Sequence, residues 1–264
     1  MTDTTLSGQV AIVTGAGRGI GRGIAIAYAR AGAKVCVASR TKSTVDEVVA
    51  LIKSEGGEAI GVRCDVSSAD DIQSMVESTV NAYGTVHILV NNAQSFGTAE
   101  APTGAALPHP FEDTSEDEWQ WIFHTGVIAT VRAMKAVFPH MKGQGYGRII
   151  NMASSSGQMR KPGFSAYGSI KDAIRCLSGI SAREWGQHGI TVNSMSPLVV
   201  TDTLADWIEA CPEDSNAVLQ HVPMGRFGDS IEDCAPVAVF LASKGAGYVT
   251  GQNYNVEGGF NMFP

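Results

Sequence analysis

Short β-branched runs alternate with longer segments of helical period along the whole chain, and that alternation constrains the fold more than any other feature. Residues 9–14 (QVAIVT) read as a buried strand, and residues 19–31 as a helix with Ile20, Ile24, Ala27 and Tyr28 on one face. Strands are expected again over 34–38, 59–64, 86–91, 148–152, 190–194 and 253–256, with helical patterns between them. Ser67 and Ser68, followed by Asp70 and Asp71, predict a capped helix that runs to Tyr83. Ser115-x-x-Glu118 is a capping box that opens a long helix towards Lys142. This order predicts an α/β fold: a doubly wound, Rossmann-like parallel sheet of about seven strands with helices on both faces. No composition break, linker or repeat divides residues 1–264, so a single domain is expected. In such sheets ligands bind beyond the carboxyl ends of the strands.

Charge and cysteine usage narrow the partners. The 19 Lys+Arg against 26 Asp+Glu leave a net charge of −7, with no basic cluster to attract nucleic acid or an anionic membrane. No apolar run approaches the roughly 20 residues of a membrane-spanning helix. The stretch from Met1 to Gly8 is polar and unlike a signal peptide. Cys36, Cys64, Cys176, Cys211 and Cys234 are widely spaced and form no C-x-x-C pair, which argues against a disulfide framework or a zinc site. A cytoplasmic protein with reduced thiols and no catalytic metal is the expectation.

The first strand runs into Thr14-Gly15-Ala16-Gly17-Arg18-Gly19-Ile20-Gly21. Glycines in such a turn let the backbone approach a pyrophosphate, and the following helix N-terminus favours its negative charge. The spacing differs from G-x-G-x-x-G, and a tight strand-to-helix connection alone also uses glycine. Its place after the first strand of an alternating pattern favours nucleotide binding. The second strand ends Ala38-Ser39-Arg40, without the acid that accepts ribose hydroxyls in NAD sites. Arg40, with Arg18 in the turn, predicts a pair of guanidinium groups for the 2′-phosphate of NADP.

Further on, Ser154 follows the fifth strand, and Tyr167 and Lys171 stand at i and i+4 of a helix, on one face. A free tyrosine, with a pKa of about 10, is a poor acid near neutrality, and a nearby ammonium stabilises its phenolate. A tyrosine so tuned exchanges a proton with a carbonyl oxygen while hydride moves to or from its carbon. Alone, Tyr-x-x-x-Lys is also what a boundary tyrosine and a surface lysine look like.

The glycine turn, Asn91-Asn92-Ala93 after the fourth strand, Ser154, and Tyr167 with Lys171 occur in the order and at the intervals of the short-chain dehydrogenase/reductase family, which this chain closely resembles from Leu6 to Gly259. The resemblance implies that Tyr167 is the catalytic acid/base, that Lys171 lowers its pKa and holds the nicotinamide ribose, and that Ser154 polarises the substrate carbonyl. It implies cofactor contacts from Gly15, Arg18, Gly19, Ile20, Gly21 and Arg40, from Asp65 and Val66 at the adenine, from Asn91 and Ala93 along the cofactor, and from Pro197 and Thr201 on the nicotinamide side. It further implies a homotetramer or homodimer, built through the long helix and the Tyr167/Lys171 helix, with the tail 260–264 reaching a neighbour.

Three positions depart from the family pattern. Gln94 stands where N-N-A-G has its glycine, and Leu198 stands where Pro-Gly is usual. Gly126 stands where the long helix usually carries an asparagine that orders a water for proton relay. The substrate loops fall at about 94–114, a segment broken by Pro102, Pro108 and Pro110, and at about 198–225. Leu198, Val199, Leu204, Trp207 and Ile208 in the second loop predict an apolar wall for a carbonyl or alcohol substrate rich in hydrocarbon, although they suit packing onto the core equally well. The leading expectation is NADPH-dependent reduction of a ketone or aldehyde. The alternatives are reduction of an imine or enone, and an NADP-binding sensor or scaffold that no longer turns over.

Overall fold

The computed structural model describes residues 5–262. The expected tail 260–264 and the polar start at Met1 therefore lie partly outside the described residues. Strands β1 (Val10–Thr14), β2 (Lys34–Ser39), β3 (Glu58–Arg63) and β4 (Ile88–Asn91) alternate with helices α1 (Gly19–Arg30), α2 (Lys42–Ser54) and α3 (Ala69–Tyr83). A two-stranded ribbon follows, β5 (Phe96–Gly97) against β6 (Pro102–Thr103). The long helix is next: α4 (Glu116–Phe123), a π-turn over His124–Ile128, and α5 (Ala129–Gln144). After β7 (Gly147–Met152) come the short α6 (Ser155–Gln158) and the long α7 (Ser165–Trp185), then β8 (Ile190–Pro197). Helices α8 (Asp202–Ala210) and α9 (Pro212–Leu219) lie within 198–225, and α10 (Ala235–Ala242) and β9 (Asn253–Val256) close the order.

The seven-stranded sheet runs β3-β2-β1-β4-β7-β8-β9, with every pairing parallel. Strand order reverses between β1 and β4, which puts the switch point where the glycine turn and the Asn91 segment leave the sheet. Alternate residues of each strand feed opposite faces. Ala11 and Val13 pack with Ile24 and Tyr28 of α1, Val45 and Ile52 of α2, and Ala238 of α10. Ile12, Cys36 and Leu89 pack with Ile72 and Met75 of α3 and Met134 and Val137 of α5. Both faces are thus covered, as the near-continuous apolar strands require. The Tyr28 hydroxyl donates to the Ala238 carbonyl (3.1 Å), so its polar end is satisfied inside the core.

The caps fall where the sequence puts them. The Ser68 hydroxyl accepts from Asp71 N and the Ser115 hydroxyl accepts from Glu118 N. Val199 belongs to the core, 4 % exposed, instead of lining a substrate wall, because the sheet face beneath it needs cover. Leu204, Trp207 and Ile208 remain half-exposed on α8. Cys36, Cys64 and Cys234 are buried and free, and burial pushes each thiol up to about 12. Among the described residues no helix is long and apolar enough to cross a membrane.

Candidate active site

Every candidate residue lies at or just past the carboxyl end of a strand or on the helix that follows. The glycine turn joins β1 to α1. No side chain caps α1, unlike α3, α4 and α8, so its first backbone N–H groups are left free for an anion. Gly19 has φ +53° and faces open space apart from the Thr201 methyl, 3.5 Å from where its Cβ would stand. That contact brings Gly19 and Thr201 to one place, although 182 positions separate them in sequence. Gly15 and Gly21 serve packing as well. A Cβ on Gly21 would lie 2.5 Å from the Gly15 carbonyl oxygen and 2.5 Å from Asn92 Nδ2.

Asn92 and Thr14, members of the two sequence motifs but given no role there, hold this turn. Asn92 Nδ2 donates to the Thr14 carbonyl (2.9 Å), and the backbone N–H groups of Asn92 and Ala93 both reach the Thr14 hydroxyl (3.0 and 3.1 Å). The Thr14 hydroxyl in turn donates to the Val90 carbonyl (3.2 Å). The β1 and β4 ends are thereby locked side by side. Asn91 turns inward: its Nδ2 donates to Asn151 Oδ1 (2.8 Å), and Asn151 Nδ2 donates to the Ser178 hydroxyl (2.9 Å). Only its backbone is left to face a cofactor. A polar residue at the end of a buried strand was the available signal for these positions.

After β3, Asp65 accepts from the Ser67 N–H (2.9 Å) and hydroxyl (2.8 Å), which shapes the bend there, and Val66 packs against the core. Arg40 is exposed at the end of β2. Arg18 is exposed as well, with its guanidinium Nη2 2.9 Å from where a Cβ on Gly104 would stand. Arg18 therefore touches the loop over 94–114. The same loop is tied to the α7 end, where His109 N donates to the Gly163 carbonyl (2.9 Å). His109 lies 3.9 Å from Glu118, and the His124 ring meets the Ser67 carbonyl (2.9 Å), so both histidines serve the scaffold.

Ser154, Tyr167 and Lys171 come together at the carboxyl end of β7. Ser154 caps α6, its hydroxyl accepting from Ser156 N (3.2 Å). Phe96 and Phe164 meet the Tyr167 ring edge-on, with centroids 5.6 and 6.4 Å away. Lys171 is 6 % exposed, donates to the Met152 carbonyl (2.7 Å), and holds its ammonium 5.7 Å from the Tyr167 ring centroid. Burial pushes this ammonium down to about 7. Burial also raises Tyr167, while hydrogen bonding by the Ser154 hydroxyl pulls the other way. The lowered tyrosine that the sequence predicts is thus not the state of this site, because a dry environment disfavours the charged forms of both partners. A raised tyrosine keeps its proton at neutral pH and is available as a donor.

Residues 15–261 match the family described as enoyl-(acyl carrier protein) reductase. The chain is 34 % identical over 261 residues to a 3-oxoacyl-[acyl-carrier-protein] reductase of Synechocystis sp., covering 98 % of this chain and 100 % of that one. The chain belongs to the short-chain dehydrogenase/reductase family. Within this family of oxidoreductases, it is 33 % identical over 264 residues to a 12α-hydroxysteroid dehydrogenase of Clostridium sp., covering 97 % of this chain and 98 % of that one. A solved 7α-hydroxysteroid dehydrogenase complexed with NADH and 7-oxo glycochenodeoxycholic acid superposes with a TM-score of 0.89 at 33 % identity, over 98 % of this chain and 96 % of that one. A proposed NAD(P)-dependent gluconate 5-dehydrogenase from Beutenbergia cavernae, with bound NADP at low occupancy, gives a TM-score of 0.88 at 34 % identity, over 98 % of both chains.

Proposed function

We propose that this chain, acting as a single domain, reduces a ketone or aldehyde with NADPH and oxidises the corresponding alcohol in reverse. The observation that carries the reading is the meeting of Ser154, Tyr167 and the buried Lys171; the N-terminus of α1, which has no side-chain cap, is a separate observation that agrees with it. The residues fit a dinucleotide: free N–H groups of α1 and Gly19 for the pyrophosphate, Asp65 and Val66 for the adenine, Asn91 and Ala93 backbone along its length, and Pro197 and Thr201 beyond. Bound there, the nicotinamide supplies or accepts a hydride. Arg40 and Arg18, both exposed and without an ion pair among the described residues, support NADP over NAD through charge-assisted contacts to its 2′-phosphate.

Ser154 donates to the substrate carbonyl oxygen and polarises it. Tyr167 gives its hydroxyl proton to that oxygen as the carbon receives hydride. Lys171 offsets the negative charge that develops on the phenolate oxygen. The half-exposed Leu204, Trp207 and Ile208 suit a substrate with considerable hydrocarbon surface. The named activities of the steroid and acyl-chain relatives support the same class. A homotetramer or homodimer in the cytoplasm is part of this reading.

The description of the matched family names an enoyl reductase, so reduction of a conjugated C=C bond is the second reading. The test is cofactor oxidation against ketones, aldehydes, an imine and an enone, run with NADPH and with NADH, for the wild type and Tyr167→Phe. Carbonyl turnover that prefers NADPH, and that falls by about 10²- to 10⁴-fold in the variant while NADPH binding persists, is the expected result. Retained turnover in Tyr167→Phe overturns the assignment. Turnover of the enone alone moves it to the second reading, and NADPH binding without any turnover moves it to a sensor.

A further inference from the structure

Tyr167, Lys171 and Arg175 follow one another at intervals of four along α7, so all three lie on one face of that helix. Lys171 donates to the Met152 carbonyl (2.7 Å), and Arg175 Nη2 donates to the Ser154 carbonyl (2.8 Å). Met152 ends β7 and Ser154 is still extended, with φ −157° and ψ 148°. In an extended run the carbonyls of alternate residues point the same way. Two cations of one helix therefore lace the end of β7 to α7.

Arg175 is itself held in place. Its Nη1 donates to Asp172 Oδ1 (2.7 Å), nearly one turn earlier on α7. Burial lowers the pKa of the guanidinium, and the Asp172 carboxylate opposes that shift. Its Nε is shut off from solvent and has no partner among the described residues. A buried charge with a donor unmatched is costly, and an apolar side chain of similar volume would cost less. The segment it holds needs an outside anchor. Helix α6 has four residues, too few to be stable through its own bonds. The Ser154 hydroxyl accepts from the Ser156 N–H and donates to the Ser156 hydroxyl (3.2 Å each), so its place follows the α6 turn. A Cβ on Gly157 would collide with the Asp172 carboxylate and the Gly168 carbonyl, so the same turn also rests on α7.

We infer that Arg175 is a positioning residue for Ser154: by bonding the Ser154 carbonyl from the helix that carries Tyr167, it fixes the spacing of the two hydroxyls that share the substrate oxygen. The inference rests on the reading of Ser154 and Tyr167 given above. Arg175 acts through the Ser154 backbone. One rigid helix then carries the tyrosine and sets the height of the serine, so the two groups keep a common frame. A hydroxyl displaced by about 1 Å no longer meets the oxygen on which charge develops.

The test is a double-mutant cycle of Arg175→Met and Ser154→Ala, with steady-state kinetics, cofactor binding and urea unfolding for each protein. Arg175→Met is expected to lower kcat for carbonyl reduction about tenfold or more. Cofactor affinity and the urea midpoint should change little, because the lost bond is offset by the removal of an incompletely paired buried charge. In the Ser154→Ala background the same substitution should change kcat by less than about twofold, since the group it positions is gone. Unchanged kcat in Arg175→Met, or an equal loss in both backgrounds, overturns the proposal. A readout independent of turnover is hydrogen exchange of the backbone N–H groups at 155–158. In Arg175→Met it should quicken about tenfold or more, while β7 and the rest of α7 keep their protection. Unchanged exchange there, or protection lost along the whole of α7, overturns the proposal even in a protein that reduces no carbonyl. Quickened exchange confined to 155–158, in a protein whose wild type shows no turnover, supports the tether and overturns the activity instead.

Discussion

Replacing Lys171 by methionine is expected to abolish turnover and yet to make the protein more stable, by an amount that depends on pH. The side chain is 6 % exposed, and burial lowers its pKa from 10.5 to about 7. At about 1.4 kcal/mol for each pH unit, that displacement puts a penalty on the order of 5 kcal/mol on the charged lysine of the folded protein. Below pH 7 the group is charged in both the folded and the unfolded chain, and the penalty is fully present. From about pH 7 to about 10.5 the unfolded chain keeps a proton that the folded protein has released, so stability rises with pH. Methionine keeps an unbranched apolar stem and removes the charge, and it forfeits the bond to the Met152 carbonyl (2.7 Å). That bond is worth about 1.5–3 kcal/mol because the donor is charged. A net gain of about 2–3 kcal/mol near pH 6 remains, shrinking to nothing or a slight loss near pH 10. Urea unfolding followed by circular dichroism at three pH values, at fixed protomer concentration, measures it. No gain near pH 6, or a gain that grows with pH, would refute the argument that desolvation governs this lysine.

Three further outcomes are expected. Gly21→Ala, whose Cβ would stand 2.5 Å from the Gly15 carbonyl oxygen, should destabilise the protein in urea unfolding and weaken cofactor binding in fluorescence titration; a loss of about 1–3 kcal/mol is typical of such overpacking. Arg40→Ala and Arg18→Ala should each raise KM for NADPH about tenfold or more and leave KM for NADH nearly unchanged, as charge-assisted contacts to a 2′-phosphate require. Ser154→Ala should lower kcat about 10²-fold with little change in cofactor affinity, and steady-state kinetics beside a binding isotherm separate the two.

Much of the fold is legible because it rests on periodicity. The period-2 run of β1 sends Ala11 and Val13 to one face and Ile12 to the other, and the 3.6-residue period of α1 aligns Ile24 with Tyr28, so the sheet and its covers follow from local patterns. Caps such as Ser68 and Ser115 are equally local, since the donor each satisfies lies three residues away. The candidate site is legible in part, as Tyr167 and Lys171 share a helix face and Ser154 ends a strand. Glycine at 126 marks a weak point of the long helix in the sequence, and the structure gives that point the form of a π-turn over His124–Ile128. Gln94 and Ile170, which border Gly126 there, lie far away in sequence.

By itself the sequence determined the alternation of strands and helices, the covered parallel sheet, and the residue types offered at the strand ends. Hydrophobic period and capping act over a few residues, so they can be read without knowing the neighbours. Only the tertiary structure decided that Thr14 and Asn92 clamp the glycine turn, that Asn91 faces inward to Asn151, that Arg18 lies against Gly104, and that Gln94 lies against Gly126. Those outcomes depend on which distant segments meet and on how dry the meeting place is. Desolvation and contact are properties of the assembled chain. The same lysine that a sequence presents as an ordinary cation therefore becomes, once it is buried against Met152 and Tyr167, a group poised near neutrality.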